Sequence, residues 1–129
     1  MYMEETTTKR RIDFNKVCKD YGIRLFSYQS LRKANNGLLE SHKELDSVMR
    51  ESSGVCFAIG GNQPVIAFDA DRDDLEIRYT VAHELGHILL GHLRFRSGVK
   101  EIMPNFAEAE ANIFAATLMA NDILCRYRE

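Results

Sequence analysis

Residues His83-Glu84-Leu85-Gly86-His87 are the part of this chain best suited to do chemistry. On an α-helix, histidines at i and i+4 stand one turn apart on the same face, so both imidazoles reach one metal ion with Glu84 beside them. That arrangement suits a zinc hydrolase, which needs nitrogen ligands for the ion and a carboxylate to handle a proton of water. The competing reading, two ordinary surface or core histidines, is weakened by the surroundings. The pair lies in a proline-free stretch from Ile77 to His92 with helix-compatible periodicity, so a rigid element carries it.

Catalytic zinc takes three protein ligands and leaves one position open, so a third ligand is needed from another element. The stretch from Glu108 to Met119 offers two carboxylates, and a helical wheel separates them. Glu108 shares a face with Ala111, Asn112, Ala115 and Met119, whereas Glu110 points with Ile113 and Thr117 to roughly the opposite side. Small alanines at 111 and 115 would let this helix approach the motif helix closely, which selects Glu108. On the motif helix, Glu76, Tyr79, Thr80, His83, His87 and Leu90 fall on the metal face. Leu75, Ala82, Leu89 and Leu93 make one apolar flank and Val81, Leu85 and Ile88 another, so this helix is expected between two layers. Gly86 serves either tight backbone packing or substrate approach. His92 lies about 180° from His83 on the wheel and reads as a helix-end residue, not a ligand. It also sits one residue too early for the His-Glu-x-x-His-x-x-Gly-x-x-His pattern, whose glycine position is Leu90 here. His42, in a polar segment, reads as a surface histidine.

The elements around the motif follow from punctuation and periodicity. Asp13 to Tyr21 followed by Gly22 has the length and stop of a short helix, and Ile23 to Tyr28 reads as a strand. Asn35-Asn36-Gly37 and Glu51-Ser52-Ser53-Gly54 mark turns, with an amphipathic helix between them at Ser41 to Arg50. Val55 to Ile59 and Val65 to Phe68 form a hairpin across a glycine-containing loop. The acidic run Asp69 to Asp74 supplies N-caps for a motif helix from about Leu75 to Gly91. A loop from Arg94 to Pro104 and a last helix from about Phe106 to Tyr127 complete the order.

At 129 residues, 45% hydrophobic and 28% charged, the chain has the size of one domain spanning 1–129. A net charge of −2 lacks the basic excess of a surface that tracks phosphates, so direct nucleic-acid binding is not expected. The apolar runs are too short to cross a bilayer, and the first residues lack a signal peptide's basic and apolar regions, so a cytoplasmic location is expected. Cys18, Cys56 and Cys125 are odd in number and widely spaced, which suits a reducing compartment and argues against a cysteine-ligated metal.

The segments Arg78 to His92 and Glu108 to Met119 together resemble the ImmA/IrrE family of metallopeptidases, over roughly residues 54–120. The resemblance implies an α+β, zincin-like fold, with a small mixed or antiparallel sheet packed on a buried motif helix and a C-terminal helix. It implies that His83, His87 and Glu108 hold one zinc ion (Zn2+) per chain and that Glu84 is the general base. The implied substrate is a helix-turn-helix transcriptional repressor that controls a mobile element or stress response in a bacterium or phage. Tyr79 and the residues of the 94–104 loop are unranked candidates for stabilising the oxyanion, and Asn112 is placed to hydrogen bond a ligand. The strand Val65 to Phe68 is either an edge to which substrate adds or a buried core strand. Where family members read Leu-Leu-Met-Pro, this chain has Thr117-Leu118-Met119-Ala120, so the last helix is expected to run on, with no appended DNA-binding or sensor domain. A non-catalytic, zinc-stabilised binding module is the alternative, against which Glu84 argues, since a structural site needs no carboxylate beside its ligands.

Overall fold

The computed structural model describes residues 11–34, 52–59, 62–92, 95–96, 99–100 and 106–128. In chain order these form α1 (Phe14–Asp20), β1 (Arg24–Ser27), α2 (Tyr28–Ala34), β2 (Gly54–Ile59) and β3 (Gln63–Phe68). Then come α3 (Asp74–Leu89), β4 (Phe95–Arg96), β5 (Val99–Lys100) and α4 (Ala107–Arg128). The class is α+β. The helix expected at 41–50, the turn at 35–37 and His42 lie outside the described residues.

Local chemistry explains where the helices start and stop. Asp13 caps α1 by accepting from the Lys16 amide at 3.1 Å, and Asp73 caps α3 by accepting from the Glu76 amide at 2.9 Å. Asp74 and Glu76 put negative charge in the first turn of α3, where the helix dipole favours it. Both helices stop at a glycine in the left-handed region, Gly22 at φ 71° and Gly91 at φ 74°. In α1 the Ile23 amide then bonds back to the Cys18 carbonyl at 2.8 Å and the Gly22 amide to Lys19 at 3.1 Å. These paired bonds define a Schellman stop, in which the residue after the glycine folds back onto the helix; here Ile23 returns to the same apolar cluster as Cys18. The expected strand after Gly22 is shorter than its pattern, because Tyr28 already begins α2.

The three-stranded sheet has the order β1-β3-β2, with β1 parallel and β2 antiparallel to β3. The hairpin is therefore as expected, but β3 is the central strand. Val65, Ile66 and Ala67 are fully buried, the signature of a strand covered on both faces. That overturns Val65 to Phe68 as a substrate edge: its hydrogen-bonding directions are taken by β1 and β2. Among the described strands of this sheet β2 pairs on one side only.

The layers around the sheet follow from alternation along these strands. Cys56 and Ile66, paired in register, join Val81, Ala82 and Leu85 of α3 and Ala115 and Met119 of α4, with Phe14, Cys18 and Ile23 completing the cluster. Val55 and Ala67, the next pair, face the other way into a cluster with Tyr28 and Leu31 of α2. The motif helix is thus held between the sheet and α4, as its two apolar flanks require. Along α4, Ala107, Ala111, Ala115 and Met119 form a buried stripe at helical spacing. Gly86 meets this helix: a Cβ there would lie 3.0 to 3.2 Å from three atoms of Phe114. Tight helix packing, not substrate approach, accounts for that glycine.

In the stretch expected as a loop, Phe95–Arg96 and Val99–Lys100 pair as a short antiparallel ladder. The last helix runs to Arg128. No helix among the described residues is long and apolar enough to cross a membrane.

Candidate metal centre

Three elements meet around one cleft of about 420 Å3. The start of β2 with the residues before it supplies Ser52, Ser53, Gly54 and Val55, α3 supplies Tyr79, Thr80, His83, Glu84 and His87, and α4 supplies Glu108 and Asn112. The wheel is right about the principal side chains. The one-turn spacing brings His83 Nε2 and His87 Nε2 to 3.2 Å, and Glu108 spans both, with Oε1 3.0 Å from His83 Nε2 and Oε2 2.9 Å from His87 Nε2. Among the described residues these three form the group able to share an ion, their ligand atoms all within 4.8 Å of one another. Glu84, 8% exposed, lies in the same cleft. Its charge also reaches Tyr28, whose phenol is pushed up to about 12, chiefly by burial.

The distances suit a small cation. A tetrahedron with zinc–ligand bonds of about 2 Å has edges of about 3.3 Å, close to the separations found here. A carboxylate and two imidazoles also match the ligand chemistry of zinc. His83 turns its ring toward Tyr79, with centroids 6.3 Å apart, and its Nδ1 is buried without a hydrogen-bond partner among the described residues. His87 is held differently, by His92.

His92 departs from the wheel. Its Nδ1 lies 3.0 Å from His87 Nδ1, and it is buried. The left-handed glycine at 91 turns the chain back, so a wheel drawn through residue 92 no longer applies. Glu110 does point away from the ion position, as its angle requires, but it is engaged there: Oε1 is 2.7 Å from His92 Nε2. Asn112 does not serve a ligand in the expected way; its Oδ1 accepts from the Tyr79 hydroxyl at 3.1 Å. That bond holds Tyr79 on the cleft wall beside His83.

Residues 51–54 read as a turn and Val55 as the start of a strand, but the place of this wall beside α3 depends on tertiary packing. Tyr28 donates to the Ser52 carbonyl at 3.3 Å, and Ser53 Oγ lies 3.0 Å from Thr80 Oγ1. Gly54 is pressed onto α3: an added Cβ would stand 2.2 Å from Thr80 Cγ2 and 3.2 Å from the Ala67 carbonyl oxygen. Gly54→Ala is therefore expected to destabilise the protein by about 1–3 kcal/mol, the usual cost of forcing a methyl into a packed site. Adding Thr80→Ser, which deletes Cγ2 but keeps the hydroxyl for Ser53, should recover most of the loss in thermal unfolding. No recovery would place the strain at Ala67.

The cysteines offer no competing nucleophile among the described side chains. Cys18 and Cys56 are buried, and burial pushes the Cys18 thiol up to about 11, away from the thiolate form that reacts. The side chain of Cys125 lies outside the described residues.

A family model described as the IrrE N-terminal-like domain, a peptidase family, matches residues 18–128, well beyond the 54–120 segment that carries the motifs. Comparison with curated proteins and with solved structures gave no significant match.

Proposed function

The chain belongs to the IrrE N-terminal-like peptidase family, and from that premise we propose that it is a zinc-dependent, site-specific endopeptidase. Its substrate is a regulatory protein, a helix-turn-helix transcriptional repressor. The observation that carries the catalytic reading is the convergence of His83, His87 and Glu108 on one point, with Glu84 in the same cleft. The packing of the sheet, α3 and α4 is compatible with a zincin-like arrangement.

Zinc held by His83, His87 and Glu108 would lower the pKa of a water towards neutrality and polarise the carbonyl to be cleaved. Glu84 takes the proton of that water and later delivers it to the leaving amine. Neither ligand histidine could do this, since each would commit a ring lone pair to the ion. Tyr79, on the cleft wall beside His83, is the candidate donor to the developing oxyanion; its one hydroxyl proton goes to Asn112 Oδ1 here, so that bond is exchanged when Tyr79 turns to the oxyanion.

Metal analysis tests the ligand set. Wild-type protein should carry one zinc per chain, and His83→Ala, His87→Ala and Glu108→Ala should each lose most of it. Undiminished zinc in Glu108→Ala would remove that residue from the site.

Specificity is the second arm of the proposal. A protease without a barrier to general substrates would endanger its own cell, so selectivity must come from docking around the cleft. The zinc-loaded protein should cut casein slowly or not at all and should cleave a helix-turn-helix repressor encoded in its own genome. Rapid casein digestion would defeat that claim. Binding of the repressor without cleavage, unchanged by Glu84→Gln, would favour instead a non-catalytic zinc-stabilised binding module.

A further inference from the structure

Behind His87, on the side away from the cleft, an imidazole and a carboxylate stand in line. His87 Nδ1 is 3.0 Å from His92 Nδ1, His92 Nε2 is 2.7 Å from Glu110 Oε1, and His92 is only 4% exposed. The line is a product of how α3 ends. The Gly91 amide bonds to the Ile88 carbonyl at 3.2 Å and the His92 amide to the His87 carbonyl at 2.8 Å, the same Schellman stop that closes α1. In that motif the residue after the glycine packs on the residue five positions earlier, ordinarily through an apolar contact. Cys18 and Ile23 are such a pair in α1, but in α3 the two positions are both histidine, and their contact is a hydrogen bond.

Proton counting gives the line a direction. A neutral imidazole has one N–H and one lone pair, and an ionised carboxylate only accepts. With both imidazoles neutral, Glu110 requires the His92 proton on Nε2, which leaves His92 Nδ1 as an acceptor. Its partner must donate, so His87 carries its proton on Nδ1 and presents a lone pair at Nε2. That is the atom facing His83 and Glu108. It also leaves the His87 lone pair and Glu108 Oε2 opposed at 2.9 Å, two acceptors that a shared cation would reconcile.

We infer that Glu110 and His92 are positioning residues that lock His87 in the tautomer and ring orientation needed to hold a metal ion through Nε2. The inference rests on the metal reading proposed above. Partners of this kind typically raise metal affinity 10- to 100-fold by orienting the ligand and increasing its basicity. His83 lacks such a partner at its own Nδ1 among the described residues, so the orienting device acts on one ligand of the pair.

Zinc dissociation constants, measured against a chromophoric chelator, test this with His92→Phe, which keeps a ring but removes the acceptor. His92→Phe should weaken zinc binding about 10- to 100-fold, and His92→Asn, whose side-chain oxygen can accept from His87 Nδ1, should recover most of it. Metal-free thermal stability of each variant separates orientation from unfolding. Wild-type protein that binds no zinc would overturn the metal reading and this inference with it. Tight wild-type binding matched by His92→Phe would overturn the inference alone, as would His92→Asn no better than His92→Phe. Nitrogen NMR of the His87 ring in metal-free wild-type protein decides the matter if His92→Phe does not fold. A proton on Nδ1 supports the relay, and a proton on Nε2 overturns it.

Discussion

Glu84→Gln should lower the rate of peptide cleavage about 10^2- to 10^4-fold, the range that a positioned general base contributes, while leaving the zinc content unchanged. The amide has the shape of the carboxylate and can occupy the same buried place in the cleft, yet it cannot accept the proton of the attacking water. Glu84 is not in the convergent ligand group, so zinc retention should separate it from His83→Ala, in which metal and activity fall together. The measurement is cleavage of the repressor by zinc-loaded wild-type and variant proteins at equal metal content. Equal rates would end the general-base assignment. Loss of zinc along with activity would make Glu84 part of the ion's support.

Asp122→Ala should cost about 3–5 kcal/mol of folding stability, the range for removing one partner of a buried ion pair. Asp122 is 1% exposed, and its carboxylate accepts from Arg78 Nε on α3 and from the Ile12 amide at 3.3 Å. Arg11 Nε stands 3.9 Å away. The Arg78 guanidinium also donates to the Ile12 carbonyl and lies over the Phe14 ring at 4.9 Å. Three parts of the chain thus meet on one carboxylate: the segment before α1, the early part of α3 and the end of α4. Without it, a mostly buried guanidinium loses its counter-charge and a backbone amide loses an acceptor. Urea denaturation should show the loss in Asp122→Ala and a smaller one in Asp122→Asn, whose oxygen still accepts. The double variant Arg78→Met with Asp122→Leu should be far closer to wild type than Asp122→Ala, because it removes both charges. A loss below 1 kcal/mol in Asp122→Ala would mean that solvent screens the pair.

Much that depended on periodicity within one element was legible before the fold was known, though the short helix α2 was not. The i and i+4 spacing placed His83 and His87 on one face, and the Glu108, Ala111, Ala115 stripe identified the face of α4 that meets α3. The Asp caps, the glycine stops and the β2–β3 hairpin are encoded in a few neighbouring residues, so short-range chemistry suffices for them. The geometry of the histidine pair needed only a helix. The positions that sequence reasoning missed depend on segments far apart in the chain. Val65 to Phe68 reads as a strand either way, and only its pairing with β1 makes it central. Asp122 carries no signal in its own segment, and only the packing of α4 brings it to Arg78, 44 positions earlier. Ser52 to Val55 became a cleft wall because Thr80 packs against Gly54. His92 shows the boundary most clearly, since an angle on a wheel holds only while the helix continues, and one left-handed glycine turned a residue on the far face into the partner of His87. Periodicity is a property of one element and was readable from the sequence; the meeting of elements is set by packing across the whole chain, and only the tertiary structure decided it.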